Sequence, residues 1–297
     1  MLRDIASKTE IAEIDQALDP RFAATPFCQG GFYGPRTKRF GGLLKRVPAV
    51  ERLVRHPAIM RRVRSVLEPW CDTIQLNLTQ ALELHPGAPA QFPHRDQDMW
   101  RGPTGQIEYL VNVMWPISPF KAENGATLIW PGSHNASSAV KEAQPIAVEA
   151  EPGSAILFLG STLHGAGANM TGAIRRGIIV SYCLGWLKPY ENQWLTYPPD
   201  AARAFDPELA ALVGYQQHRP NLGGATQYAQ CVAPMTKLWQ RLATGGSFPG
   251  CSGGGVARTK VYDRDSATRR RVVMTFSDGR RETYSLAHIE RLQDLAR

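Results

Sequence analysis

Between residues 73 and 186 the chain is a series of short strand-like segments with no helical pattern between them. Each segment is rich in β-branched or aromatic residues and ends near Gly, Pro or Asn, which favour turns. The segments are TIQLNLTQALEL, IEYLVNVMWPI, ATLIWP, SAILFL and GIIVSYCLGW. Strands at such close intervals predict a β-sandwich or barrel, because a Rossmann-type parallel sheet needs a helix between its strands.

Helical patterns flank this β-rich region on both sides. Apolar residues recur at helical spacing from Ile5 to Leu18 and from Val50 to Leu67, and a shorter helix is predicted from Pro207 to Val213. Between the first two lies a turn-rich loop, residues 29–42. We therefore predict one domain over residues 1–243, with a helical part (1–70), a β-rich core (about 71–190) and a helical and loop part (191–243).

The end of the chain has a different composition. Residues 244–255 contain six glycines, which predicts a flexible linker. In the segment RRVVMTFSDGRRETYSL, Asp278 and Gly279 separate two β-rich runs, and this pair is a favoured two-residue hairpin turn. We predict a C-terminal extension over residues 256–297 that contains a β-hairpin and a helix.

The charge and hydropathy of the chain exclude several functions. The net charge of +8 lies in short arginine clusters, without a zinc finger, an RNP-type motif or basic residues interleaved with aromatics, so we expect no nucleic-acid partner. A solvated basic surface and an anionic substrate both stay open. The longest apolar run, Ala155 to Leu159, is far shorter than the ~20 residues of a membrane span. Acidic residues occupy the place of a signal peptide's apolar stretch, which favours a cytoplasmic protein.

Two of the candidate metal ligands are close in sequence. His94 and Asp96 lie where a strand pattern meets a Pro-rich loop. In an extended chain, side chains two residues apart point the same way, so both can bind one ion. The pattern alone is weak, because a buried hydrogen-bonded pair would give it as well.

A third candidate ligand, His164, follows the strand SAILFL. Two imidazoles and one carboxylate on one face of an ion leave three open positions, which is typical of non-haem iron(II) oxygenases. A 2-oxo acid and dioxygen would fill those positions. Arg175 offers a planar guanidinium for the far carboxylate of the 2-oxo acid, and we favour it over Arg176, which points to the opposite face of the strand.

These residues, together with the block NGATLIWPGSH from Asn124 to His134, resemble the phytanoyl-CoA dioxygenase family of iron(II)/2-oxoglutarate-dependent oxygenases. The resemblance spans roughly residues 30 to 220 and includes the spacing from His164 to Arg175. It implies a mainly β fold, a double-stranded β-helix (jelly-roll, cupin-like) core with flanking helices. Within the matching block, we interpret His134 as structural.

The resemblance also implies the cofactors and the roles of the site residues. Iron(II) is held by His94, Asp96 and His164, while 2-oxoglutarate and dioxygen serve as co-substrates. Arg175 binds 2-oxoglutarate, and Gln91 and Thr127 are further candidates for hydrogen bonds to it. The expected reaction is hydroxylation, desaturation or ring formation at a C–H bond of a small metabolite, with release of succinate and carbon dioxide.

The substrate is less well defined than the reaction. We prefer a natural-product intermediate, and an acyl-CoA is the alternative within the family. A zinc hydrolase and a non-catalytic jelly-roll binding module are the alternatives of other classes, although neither needs Arg175. A homodimer stays open. The candidate pocket residues are a methionine and six aromatic residues: Phe32, Tyr33, Phe92, Met99, Trp100, Trp115 and Trp194.

Overall fold

The computed structural model describes residues 1–102, 105–134, 144–219, 222–223, 256–262, 271–276 and 281–285. The chain divides into two compact units, residues 1–223 and 224–297. The predicted linker, residues 244–255, lies outside the described residues, and so does the domain boundary predicted at residue 243. The predicted domain boundaries therefore stay predictions.

Helices and strands of the first unit follow the predicted order. The α-helices are α1 (Lys8–Ala24), α2 (Leu43–Arg46), α3 (Glu51–Val54), α4 (Pro57–Leu67), α5 (Gln193–Thr196), α6 (Pro199–Ala202) and α7 (Pro207–Leu212). The strands are β1 (Thr37–Gly41), β2 (Ile74–Leu84), β3 (Leu110–Pro116), β4 (Thr127–Ile129), β5 (Ile146–Val148), β6 (Ile156–Leu159), β7 (His164–Ala166) and β8 (Arg175–Leu184). No helix in the described part of the chain is both long enough and apolar enough to cross a membrane.

The strands of this unit form two antiparallel sheets. The larger sheet has the order β1-β2-β8-β3-β6, and the smaller has the order β5-β4-β7. The prediction of a mainly β chain is confirmed. Strands β1, β5 and β7 were not predicted, because each has five residues or fewer and shows little alternation.

Alternation along the strands separates the two faces of the larger sheet. In β3, Val111, Val113 and Trp115 pack with the helices in one buried cluster. Met114 belongs to a second cluster with Phe158, on the face toward the smaller sheet. Because side chains alternate along a strand, the helical layer and the interior of the sandwich are served by alternate residues of the same strand.

Strand β2 contains a bulge at Asn77. Leu76 pairs with Tyr182 and Leu78 with Ser181, so Asn77 is the extra residue. A bulge changes which residues of a strand face a given side. Asn77 and Leu78 consequently both line the interior cavity, although they are neighbours in sequence.

The N-terminal helices differ in detail from the prediction. Helix α1 begins three residues later than the predicted pattern, after a capping box in which Ser7 and Glu10 hydrogen-bond each other's backbone N–H groups. The second predicted helix is interrupted, and α3 and α4 flank His56. The extended ψ of 123° at His56 follows from Pro57, because a proline disfavours helical geometry in the residue before it.

The described part of the second unit is a three-stranded antiparallel sheet. Its strands β9 (Val256–Tyr262), β10 (Arg271–Phe276) and β11 (Arg281–Ser285) lie in the order β11-β10-β9. Strands β10 and β11 are the predicted hairpin, with Thr275 opposite Arg281. The predicted turn at Asp278 and Gly279 lies outside the described residues, and β9 is an additional strand that we did not predict.

Candidate metal and co-substrate site

Three predicted ligands, His94, Asp96 and His164, meet at the open end of the sandwich. His94 and His164 form an antiparallel bridge in which each backbone N–H donates to the other's carbonyl at 3.0 Å. Asp96 Oδ1 lies 3.5 Å from His94 Nε2, and Asp96 Oδ2 lies 3.5 Å from His164 Nε2. One ligand atom from each residue lies within 4.8 Å of the others, so the three can share one ion.

Both imidazole rings are oriented by the backbone. His94 Nδ1 donates to the carbonyl of Phe92, and His164 Nδ1 donates to the carbonyl of Thr162, both at 3.0 Å. A carbonyl oxygen only accepts, so the proton of each ring lies on Nδ1. Each Nε2 therefore keeps its lone pair for a metal ion.

The carboxylate of Asp96 is also held by a neighbour. Asn112 Nδ2 on β3 donates to Asp96 Oδ2 at 2.9 Å. Burial raises the pKa of Asp96, but the adjacent His94 and His164 rings and the hydrogen bond from Asn112 outweigh it, so this pKa is lower than usual. Asp96 is thus ionised at neutral pH and available to a metal ion.

Arg175 begins β8 and is buried, with 1 % of its surface exposed. Its Nε and Nη2 donate to the carbonyl of Gly125, and its guanidinium lies over the ring of Phe120 at 4.1 Å. Its Nη1 is buried without a hydrogen-bond partner. Burial and the nearby charge of Arg39 lower the pKa of Arg175 to about 9. An anion at Nη1 would satisfy both the N–H group and the charge.

The position of Gly125 explains part of the matching sequence block. Gly125 has a φ of +89°, and a Cβ there would lie 2.8 Å from the carbonyl oxygen of Gly167. Only glycine fits such a backbone without strain. The Asn-Gly pair thus places the carbonyl that holds Arg175.

Arg39 is a cavity residue that the sequence did not indicate. It lies on β1, its Nη1 donates to Gln80 Oε1 at 3.0 Å, and its guanidinium lies over the ring of Tyr33 at 4.5 Å. Its Nε is buried without a hydrogen-bond partner. The sequence predicts a loop here, so its pattern does not place this arginine beside the candidate metal ligands.

Arg176 lies on the opposite face of β8, as the alternation of side chains predicts. Its guanidinium donates to Glu83 at 2.9 Å, to Asp15 at 2.8 Å and to Asp19 at 2.6 Å. Asp15 and Asp19 belong to α1, and Glu83 belongs to β2. Arg176 therefore ties the N-terminal helix to the sheet.

The metal ligands open into a cavity of about 330 Å³. Arg175, Gln91 and Thr127 line it together with Arg39, so the four candidate co-substrate residues share one space. Its other walls are mainly apolar: Leu82, Leu84, Met114, Phe158 and Ile179. The mixture of a few cations with apolar walls suits a small dicarboxylate.

Aromatic side chains form the mouth of the cavity. Phe32 and Tyr33 line it, as does Met99, in agreement with the predicted pocket. The Phe32 ring packs edgewise on Phe92 at 5.1 Å and on His94 at 4.9 Å. The hydroxyl oxygens of Tyr33 and Tyr190 lie 3.1 Å apart.

The three tryptophans proposed for the pocket lie elsewhere. Trp115 is fully buried on the helical face of the sheet, with its ring 5.9 Å from that of His56. Trp100 donates Nε1 to the carbonyl of Lys188, and Trp194 lines a second cavity, of about 300 Å³. His134 does not belong to the metal-ligand cluster that the described residues form. The alternation of side chains along β3 explains the position of Trp115, because Trp115 lies on the same face as Val111 and Val113.

Comparison with known proteins gives a family match over most of the first unit. The family model for phytanoyl-CoA dioxygenase (PhyH) matches residues 5–177. A similar protein is the dioxygenase trt7 of Aspergillus terreus. The two are 36% identical over 48% of this chain, and this chain spans 51% of the length of trt7. Another is the multifunctional dioxygenase prhA of Penicillium brasilianum, 27% identical over 80% of this chain and 83% of that protein.

Solved structures show the same architecture. The non-heme alpha ketoglutarate dependent epimerase SnoN, from nogalamycin biosynthesis, matches with a TM-score of 0.55 at 18% identity, over 64% of this chain and 79% of SnoN. HygX of Streptomyces hygroscopicus, solved with nickel, 2-oxoglutarate and hygromycin B, matches with a TM-score of 0.50 at 16% identity, over 64% and 84% of the two chains. The predicted jelly-roll core is thereby confirmed.

Proposed function

The chain belongs to the phytanoyl-CoA dioxygenase family of iron(II)/2-oxoglutarate-dependent enzymes, and we propose that His94, Asp96 and His164 hold its metal. One observation carries this proposal. Two imidazole Nε2 atoms and a carboxylate converge beside a cavity that is also lined by two arginines with unpaired buried N–H groups. The donor set fits iron(II), and the unpaired N–H groups fit an anionic co-substrate.

We assign the two ends of 2-oxoglutarate to the two arginines. The molecule has a carboxylate at each end, and Arg175 and Arg39 are the cavity-lining cations that keep a buried N–H without a partner in the described structure. Arg175 lies against Gly125 and Phe120, so it takes the carboxylate farther from the metal. Arg39 takes the other end, and Gln91 and Thr127 add hydrogen bonds from the walls.

When bound, iron(II) and 2-oxoglutarate turn dioxygen into an oxidant that attacks a C–H bond, with succinate and carbon dioxide as products. The chain contributes position and shielding. Backbone bonds fix both imidazoles, the buried arginine orients the co-substrate, and apolar walls keep water away from the reacting atoms.

The cavity mouth favours a largely apolar small metabolite as the substrate. Phe32, Tyr33 and Tyr190 surround the entrance, and Asp98 adds a negative charge to it. A natural-product intermediate fits this chemistry. SnoN, which has a similar fold, comes from nogalamycin biosynthesis, and this supports the proposal. An acyl-CoA is the alternative substrate within the family.

The experiment is a co-substrate assay combined with spectroscopy. Anaerobic protein is titrated with iron(II) and 2-oxoglutarate, and the visible charge-transfer band of the chelate is recorded. Oxygen is then admitted, and succinate is measured with a panel of small metabolites and, separately, acyl-CoAs. We expect the band and oxygen-dependent succinate formation. Metal binding with neither the charge-transfer band nor succinate formation would favour a zinc hydrolase. No metal binding at all would favour a binding module.

A further inference from the structure

We propose that Asn112 is a positioning residue that decides which oxygen of Asp96 binds the metal. The inference rests on the proposed metal site. Asp96 Oδ1 and Oδ2 each lie 3.5 Å from an Nε2 atom, the first from His94 and the second from His164. By distance alone, the two oxygens are equally placed for an ion between the histidines.

The Asn112 bond makes the two oxygens different. Asn112 Nδ2 donates to Oδ2 at 2.9 Å, and Oδ1 is left to the metal. A hydrogen bond to the second oxygen of a carboxylate fixes the rotation of the group and favours binding through one oxygen. A carboxylate that binds through one oxygen leaves three positions of an octahedral ion open, whereas binding through both would leave two. The bidentate co-substrate and dioxygen need all three.

Asn112 is itself held rigidly. It lies in the middle of β3, is 1% exposed, and pairs with Ser181 on one side and Phe158 on the other. Ser181 on the adjacent strand β8 is itself held, because its Oγ accepts a hydrogen bond from Asn77 Nδ2 of β2 at 3.0 Å. Burying an amide in the interior of a sheet costs free energy unless the amide is hydrogen-bonded. The next residue of β3 on this face is the apolar Met114, so packing alone does not call for an amide here.

The test measures metal binding on the apo protein, with cobalt(II) as the probe. Asn112→Leu keeps the approximate size of the side chain and removes the donor. We expect the Kd for cobalt(II) to rise about 10- to 100-fold, as is usual when a ligand's hydrogen-bond partner is lost. The visible cobalt spectrum should shift as well, because the carboxylate becomes free to bind through both oxygens. A role in packing alone would leave this spectrum unchanged.

Gln75→Leu is the matched control. Gln75 is a buried amide of β2 whose Nε2 donates to the carbonyls of Leu184 and Leu187, away from the metal ligands. We expect this variant to lose stability but to keep the cobalt(II) Kd and spectrum of the unmodified protein. The comparison separates loss of a buried amide from loss of the bond to Asp96.

The outcomes are distinct. A folded Asn112→Leu protein with an unchanged cobalt(II) Kd and spectrum overturns the role of Asn112 and leaves the metal site standing. If circular dichroism shows that this variant does not fold, Asn112→Ser decides in the same way, because its hydroxyl is too short to reach Asp96 directly. Failure of the unmodified protein to bind cobalt(II) overturns the metal site and, with it, this inference.

Discussion

Arg175 lies with its guanidinium 4.1 Å above the ring centroid of Phe120, in the interior of the sandwich. The charge contacts a π face and the carbonyl of Gly125 there, and the described residues supply no carboxylate partner. Burial of this cation without a counter-charge, together with the nearby charge of Arg39, lowers its pKa to about 9. The arrangement is one that an anionic ligand improves.

Replacing Arg175 should weaken co-substrate binding. Arg175→Gln removes a charged hydrogen-bond donor worth about 1.5–3 kcal/mol, so the KM for 2-oxoglutarate should rise roughly 10- to 150-fold. Succinate formation measured against 2-oxoglutarate concentration gives this KM. Arg176→Gln is the control, because it removes the adjacent charge from the other face of β8. If the control raised the KM as much as Arg175→Gln, the co-substrate would not be at Arg175.

Arg39 should affect the same binding step. Arg39→Gln leaves the bond to Gln80 weakened and removes the second cation of the cavity, so the affinity for 2-oxoglutarate should fall by about tenfold or more. Calorimetric titration with 2-oxoglutarate on the cobalt(II)-loaded protein measures it. Monocarboxylate 2-oxo acids test the assignment further, since they lack the end that Arg175 binds. An Arg39→Gln protein with unchanged affinity contradicts the role assigned to this arginine.

Removal of a metal ligand should abolish turnover. His164→Ala leaves one imidazole and one carboxylate, and we expect no succinate formation and a loss of iron(II) binding of at least 100-fold. Treatment of the unmodified protein with a chelator should have the same effect, reversed by iron(II). His134→Ala is the control, because His134 is also a histidine of the matching block. Loss of iron binding in the control alone would transfer the ligand role to His134.

The capping box of α1 gives a pH dependence of stability. The pKa of Glu10 lies below its ordinary 4.5 because it accepts hydrogen bonds from the backbone N–H and the hydroxyl of Ser7. A lowered pKa in the folded state stabilises above the unfolded value, and this stabilisation disappears as the pH falls through the folded value. Glu10→Gln should therefore lower the free energy of unfolding by about 0.5 kcal/mol at pH 7, and this difference should disappear as the pH falls below the pKa of Glu10 in the folded protein.

Urea unfolding across this pH range measures the effect of Glu10. Glu13→Gln serves as the control, because Glu13 lies on the same helix and contacts Arg52 but has no part in the capping box. If both variants show the same dependence on pH, the dependence arises from the general charge of the helix and not from the bonds to Ser7.

The proposed metal ligands and Arg175 were visible in the sequence because the chemistry proposed for them restricts residue type and spacing. His94 and Asp96 are two apart in extended chain, and His164 and Arg175 begin neighbouring strand segments. The roles of Arg39 and Asn112 were not visible. Both depend on which strands pair and in what register, and β1 is a five-residue strand within a glycine-rich stretch.

The predicted position of Trp115 in the pocket was wrong, and the alternation of residues along β3 could have shown this from the sequence. Trp115 shares strand parity with Val111 and Val113, and all three lie in the helical layer, while Asn112 and Met114 face the cavity. Apolar content alone does not separate the two faces of a sheet that is buried on both sides. A polar residue at one parity, such as Asn112, is the mark of the functional face.

The extra residue at Asn77 determines which residues of β2 face the interior on either side of the bulge. On one side of it, the even-numbered Gln80 and Leu82 line the interior cavity, and on the other side the even-numbered Ile74 and Leu76 pack with the helices. Shortening the strand by this one amino acid would restore regular pairing and turn one half of it inside out. Homologous chains that share this chemistry should accordingly tolerate changes of residue type at this point far better than changes of length.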